Sequence, residues 1–418
     1  MPLNRWPRNF SLVANIFISA FLLTVQAGAS ETVIYRFTGN GDGGRPYGGL
    51  VLDRFGNLYG TTQVGGDLAA CSGGCGTVFR LSRSAQGWTE TVLYQFEGGT
   101  DGSWPMGALV FDGGGTLYGT TRFGGSYQSG TVFRVRPLAT GNWDEDVLYA
   151  FTGTAPDGLF PESGVVLDSL GNLYGTTVAG GSGACGIVFE LSPGFSGWRE
   201  TVLHGFAPTE GSWIQAGLSW DNSGDLWGVA ADGGAYGFGS VFQLGATPNG
   251  WMFQPIHSFD NLDGDQPESN VVIDSSGTVY GTTVYGGAYD GGTLWRLKQI
   301  DRAWQESVIH SFTGTRDGGQ PMGLTIAKGM LIGTTIVGGG QGCSGIGCGM
   351  VYTVKPRPGG GEIGNLLYGF TDLNGDGANP YDAVTVDQYG HIFGVTEYGG
   401  DPGGCDGFTC GTVFEIVP

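Results

Sequence analysis

Three acidic residues recur where they could do chemistry together. Glu162, Glu268 and Asp382 each follow a proline, at or beside one position of a repeated segment. Two carboxylates facing each other across a sugar hydrolyse glycosidic bonds when their separation suits, one as acid and the other as base or nucleophile. These three are the candidate catalytic residues. Chain spacing does not set their separation, and the same groups would equally ring a channel mouth and attract a cation. A second acidic group is Asp372-Leu373-Asn374-Gly375-Asp376-Gly377. It places oxygen ligands at positions one, three and five and glycine at six, like the first half of a calcium loop. Position twelve is Ala383, which excludes a full EF-hand loop, so Asp382 or Asp401 would have to complete a calcium shell. Ordinary Asp-Gly turn chemistry accounts for the same residues. Calcium is the one cofactor these residues raise. The chain has no glycine-rich phosphate loop, zinc-protease helix or nucleophile elbow.

Cysteine and histidine offer a second chemistry. Cys75, Cys185, Cys348 and Cys410 each stand directly before a glycine that opens a repeated strand. Three have a near partner, which predicts the disulfides Cys71–Cys75, Cys343–Cys348 and Cys405–Cys410 and leaves Cys185 as a free thiol. Two such pairs could instead supply four thiolates to zinc, but strictly local pairing in an exported chain favours disulfides. His204, His257 and His310 occupy the position that holds Tyr35, Tyr94, Tyr149 and Tyr368 in other units, and His391 replaces an asparagine. On separate units they cannot share a metal, so a structural use is expected.

The elements that carry these residues form one unit repeated seven times. Gly-Asn-Leu-Tyr-Gly-Thr-Thr and its equivalents place an aromatic or apolar residue at Tyr59, Tyr118, Tyr174, Trp227, Tyr280, Ile332 and Phe393. Gly-Thr-Val-Phe ends at Phe79, and Thr-Val-Leu-Tyr-x-Phe ends at Phe96; each recurs seven times, at intervals of roughly 52 to 61 residues. Such a period calls for a repeat architecture. Aromatic and β-branched runs bounded by Gly, Asp and Asn predict four short strands per unit: a (49–53), b (57–62), c (76–81) and d (90–96). Seven four-stranded antiparallel units predict an all-β, seven-bladed propeller. Tryptophan recurs in the c–d turns at Trp88, Trp143, Trp198, Trp251 and Trp304, where packing at the outer blade corner competes with sugar stacking.

The chain ends sharpen this reading. An isolated strand d (31–37) opens the folded part, and a seventh strand c (411–416) closes it. The first should complete the last blade and shut the ring. No unpaired edge then remains at the chain ends, and a monomer is expected. From strand b to the glycine opening strand c, the loops count 14, 9, 9, 9, 9, 14 and 15 residues. The three long loops carry the paired cysteines and belong to units six, seven and one, neighbours only in a closed ring. Loops on a rigid scaffold are where binding sites concentrate. The expected binding face therefore includes Asp67, Glu397, Tyr398, Asp401 and Asp406.

Composition bounds the remaining classes. Glycine supplies 84 of 418 residues without a three-residue period, and 52 residues are aromatic, so neither collagen nor a disordered chain fits. A formal charge of −20 argues against nucleic acid and anionic membrane surfaces as partners. Residues 1–29 carry Arg5, Arg8, an apolar run over 10–25 and Ala27-Gly28-Ala29, the pattern of a secretory signal peptide. Residues 30–418 are then a single propeller domain, exported to the periplasm or outside the cell and without a membrane span.

The string Phe-Thr-Gly, Asp-Gly-x-x-Pro, Gly-Asn-Leu-Tyr-Gly-Thr-Thr, Gly-Gly and Gly-Thr-Val-Phe over residues 31–418 resembles the bacterial GloVer tandem repeat of the choice-of-anchor proteins. That resemblance implies an exported surface or extracellular protein, with no activity established for the repeat. Members usually carry a C-terminal anchor. This chain ends right after its last strand, so release from the cell is expected. Taken together, these readings lead to a non-catalytic binding propeller for an extracellular glycan or protein. A carbohydrate-active hydrolase or lyase, or a structural surface protein, is the alternative.

Overall fold

The computed structural model describes residues 29–340, 342–357, 363–405 and 408–418. Asp406 and the targeting segment other than Ala29 lie outside them. Seven four-stranded antiparallel sheets make up the fold, each ordered a-b-c-d from the axis outwards. In the first blade these are Val51–Leu52, Leu58–Thr62, Thr77–Ser84 and Gly87–Gln95. The ring closes as the chain ends predict. Ser30–Arg36 pairs antiparallel with Thr412–Val417, with Ser30 opposite Val417 and Arg36 opposite Thr412, and is strand d of the seventh blade.

Each phrase of the repeat has a structural cause. Asp53 in the a–b turn accepts the N–H groups of Phe55 and Asn57, the Asn57 amide and the Tyr59 hydroxyl, so the turn and strand b specify one another. Gly60 in strand b makes room for the aromatic ring of strand c in its own blade, since a Cβ there would lie 2.8 Å from the Phe79 ring. The same contact recurs in every blade, for example Gly228 under Phe242 and Gly281 under Trp295.

Packing between blades also repeats. The phenylalanine closing each strand d meets the strand c aromatic of the next blade, as in Phe37 against Phe79 at 5.1 Å and Phe370 against Phe414 at 5.1 Å. These rings are fully buried, and edge-to-face pairs of this kind contribute about 0.5–1.5 kcal/mol beyond their buried area. The c–d turn tryptophans pack on the strand b aromatic of the preceding blade, with Trp143 at 6.3 Å from Tyr59 and Trp304 at 5.0 Å from Trp227. That is the corner-packing reading.

Near the axis a strand b threonine donates to the next blade's backbone, as Thr120 does to Ser163 at 2.6 Å and Thr176 to Ala216 at 2.8 Å. Valine replaces it at Val229 and Val395. At those two seams a side chain of the following or preceding strand a supplies the link. Gly217 N–H donates to Asn270 Oδ1 and Gly49 N–H to Asp382 Oδ2, both at 2.6 Å.

Candidate functional site

In every blade the d–a and b–c loops meet on one face through a short antiparallel bridge, such as Gly44 with Val64, Ser103 with Phe123 and Asp265 with Tyr285. Beyond the bridge the chain turns inwards to strand a. The residue at that turn holds a left-handed φ in all seven blades: Arg45, Trp104, Phe160, Trp213, Gln266, Gln320 and Asn379, between 52° and 61°. In six of them a proline follows, which makes this conformation still less favourable for the residue before it. Hydrogen bonds hold it there. Trp104 N–H donates to Cys75 O at 2.9 Å, and Trp104 O accepts from Arg122 N–H at 3.1 Å. Arg45 and Asn379 donate likewise to Cys410 and Cys348. Three disulfide cysteines therefore fix the turn residue of the next blade. The following proline lies on the glycine that opens strand c, where a Cβ would come within 2.6 Å of Pro105 at Gly76.

These turns ring a central cavity of about 270 Å³. Its lining includes Tyr47, Glu162, Gln215, Glu268, Tyr381 and Asp382. The structure thus brings the three predicted carboxylates to one place, but not in equal states. Glu162 Oε1 lies 3.1 Å from Arg122 Nε, and burial raises its pKa. Burial, with Asp232, Glu162 and Asp265 nearby, pushes Glu268 up to about 7. Asp382 is partly buried, with its oxygens accepting from Gly49 and Ala383 N–H at 2.6 Å each. Tyr47 and Tyr381 stack across the first and last blades, ring centres 4.1 Å apart.

Around the mouth the surface divides into two sectors. Blades two to five present aromatic rings. Trp104 is 37% exposed and Trp213 is 52% exposed, and Tyr127, Tyr236 and Tyr289 are exposed in the b–c loops. Phe123 lies edge-on to both Trp104 and Phe160 at 5.3 Å, with the Arg122 guanidinium 5.0 Å above its ring. Blades six, seven and one carry the stapled loops, and all three predicted disulfides are present, with Cα separations of 5.5, 5.3 and 5.5 Å. Cys185 is free.

Of the residues expected to form the binding face, Asp67, Glu397, Tyr398 and Asp401 are described and lie in this second sector. Glu397 and Tyr398 sit beside Arg45 at the mouth. Asp67 is exposed in the first long loop, where it caps Ala69 N–H, and Asp401 is exposed in the last. The aromatic sector was not anticipated. Its signal was the residue before the loop proline or its equivalent, aromatic at Trp104, Phe160 and Trp213 and polar elsewhere.

The half calcium loop is a turn in this structure. Asp376 accepts from Tyr368 O–H, Thr371 N–H and O–H, and Gly377 N–H. Among the described residues Asp372, Asp376 and Asp382 do not converge within metal-ligand reach. Asp376 belongs to a set, because each strand d tyrosine or histidine bonds an acid of its own d–a loop. Tyr35 donates to Asp42 at 3.0 Å, His204 contacts Glu210 at 3.2 Å and His310 contacts Asp317 at 3.2 Å. The strand d histidines thus take the hydrogen-bonding place that tyrosines hold elsewhere; His391 instead lies 3.0 Å from Glu415.

No curated protein matches this chain. Solved structures with a similar course include the PQQ-bound aldose sugar dehydrogenase of Streptomyces coelicolor, at 16% identity and TM-score 0.45, covering 74% of this chain and 92% of that one. A protein of Bacteroides uniformis named as a 6-phosphogluconolactonase shares 12% identity at TM-score 0.48, over 79% and 85% of the two chains. An oxidoreductase of Thermus thermophilus, named as a glucose dehydrogenase, shares 14% at TM-score 0.45, over 93% and 100%. The Gloeobacter/Verrucomicrobia repeat matches residues 20–168 and 146–347. The chain belongs to the Gloeobacter/Verrucomicrobia repeat family.

Proposed function

We propose that this chain is an exported, non-catalytic propeller that binds an extracellular glycan on the face bearing the channel mouth. One observation carries the reading: exposed Trp213 lines a recess with Gln215 and Glu268, which also line the central cavity, and Trp104, exposed as well, stands two residues before the cavity residue Met106. Sugars present apolar C–H faces and hydroxyl edges, so a flat aromatic surface beside hydrogen-bonding groups suits both. Three disulfides and the absence, among the described residues, of a helix able to cross a membrane support an extracellular setting. Backbone hydrogen bonds hold the left-handed turns that carry both tryptophans, so the backbone there is ordered before a ligand arrives, which lowers the ordering cost of binding. A glycan array probed with residues 30–418 tests this. Binding without release of reducing ends is the expected result; no binding to any immobilised glycan contradicts it.

A second reading rests on the unequal carboxylates. Glu268, raised to about 7, retains a proton near neutrality, while Glu162 faces the Arg122 cation. An acid paired with a base is how glycoside hydrolases divide labour. Reducing-sugar release lost in both Glu162→Gln and Glu268→Gln would select that reading over the first.

A further inference from the structure

At the outer seams of the propeller one arrangement repeats. A strand d tyrosine or histidine bonds an acid in its own d–a loop, and the next blade's strand d brings a glutamate to the same point. Glu90 faces Asp42, Glu145 faces Asp101, Glu200 faces Asp157 and Glu31 faces Asp376. In those four the aromatic partner is Tyr35, Tyr94, Tyr149 or Tyr368. A neutral phenol is a poor metal ligand.

The remaining three seams carry histidine, and they differ. His204 stacks on Phe253 at 3.9 Å, so the glutamate is missing there. In the sixth repeat a glycine, Gly364, stands at the position equivalent to Glu306. Among the described residues, only the seam between blades four and five combines histidine, a loop acid and glutamate. His257 Nε2 lies 2.8 Å from Asp263 Oδ2, and a Glu306 oxygen joins them with all three ligand atoms within 4.8 Å of one another.

Two further observations bear on the ligand atoms. Asp263 Oδ1 already takes the Asp260 N–H, which leaves Oδ2 for the cluster. Glu306 Oε1 is buried and has no hydrogen-bond partner, as holds equally for Oε1 of Glu31, Glu90, Glu145 and Glu200, so the histidine is what sets this seam apart. Arg296 and Asp260 are the other charged groups facing Glu306. Both His257 and Asp263 stay partly exposed, so an ion could enter and keep a water. The seam also lacks the axial threonine bond, because Val229 stands there.

We propose that His257, Asp263 and Glu306 bind a first-row divalent metal ion, which clips blade four to blade five. One imidazole nitrogen and two carboxylate oxygens suit Zn²⁺, whose bonds to such ligands are about 2.0–2.2 Å, with a fourth position left to water. The internal repeat supplies its own control. His257→Tyr restores the residue that four other blades use, so the fold should survive it.

Calorimetric titration of ZnCl₂ into residues 30–418, in a Cys185→Ser background, tests the site. One equivalent should bind and raise the Tm. His257→Tyr should abolish both effects, Glu306→Gln should weaken binding at least about tenfold, at or beyond the loss typical of removing an outer-shell partner, and His310→Tyr should change neither. Absence of saturable zinc binding, or binding that survives His257→Tyr with an unchanged constant, overturns the proposal.

Discussion

Single residues at two kinds of position bear most of the repeat's specificity. Strand b glycines lie under a strand c ring, so a methyl group there displaces the ring. Gly228→Ala, whose Cβ would come 2.4 Å from Phe242 Cζ, should cost about 1–3 kcal/mol by overpacking, read as a lower midpoint in urea. Asp382 works as a clasp between the last and first blades, much as Asn270 does at the seam of blades four and five. Asp382→Asn should therefore keep the Tm nearly unchanged. Asp382→Ala strands the buried Gly49 N–H and should cost about 1–3 kcal/mol. A large loss of Tm in the asparagine variant would show that the charge itself matters. From sequence Asp382 reads as a catalytic or metal-binding candidate, because spacing shows that it follows a loop proline but not that two backbone N–H groups take its oxygens.

At the level of strands and loops, the seams impose a pH dependence. Burial, with a loop aspartate beside each one, pushes Glu31, Glu90 and Glu200 up to about 7 and Glu145 to about 8. Their folded-state values lie above the unfolded carboxylate range. The native state then binds protons more tightly, and stability from these groups is full below about pH 4.5 and is lost as pH rises through 7. The turn residues Asp53, Asp112, Asp168 and Asp274 have lowered values from the N–H groups they accept, so their contribution is lost only as pH falls below the ordinary aspartate range. Thermal unfolding should thus show a higher Tm at pH 5 than at pH 8. Replacing Glu90, Glu145 and Glu200 together by glutamine should flatten that slope; an unchanged slope would contradict the assignment. Strand order and turn chemistry were legible in the repeat, since each phrase serves a contact inside its own blade or with the next. The seam glutamates were not, because their partners lie a whole repeat away in the chain.

Over the whole molecule, closure makes one face from loops that are distant in sequence. Pairing of 30–36 with 412–417 was readable from the phase of the chain ends, and it placed the stapled loops of blades six, seven and one side by side. The aromatic sector stayed hidden because Trp104 and Trp213 look like ordinary loop residues until the fold shows both on left-handed turns with their rings exposed. The two sectors make different predictions. Replacing the exposed Asp67 and Asp401 together by alanine should spare folding and leave glycan affinity within about twofold if the rings carry recognition, the change corresponding to less than about 0.5 kcal/mol. The most direct measurement is the affinity of the best array ligand for Trp104→Ala/Trp213→Ala beside the parent, at matched Tm. Loss of about tenfold or more, roughly 1.4 kcal/mol, is the predicted result; an affinity equal to the parent's would contradict recognition by this face's aromatic sector.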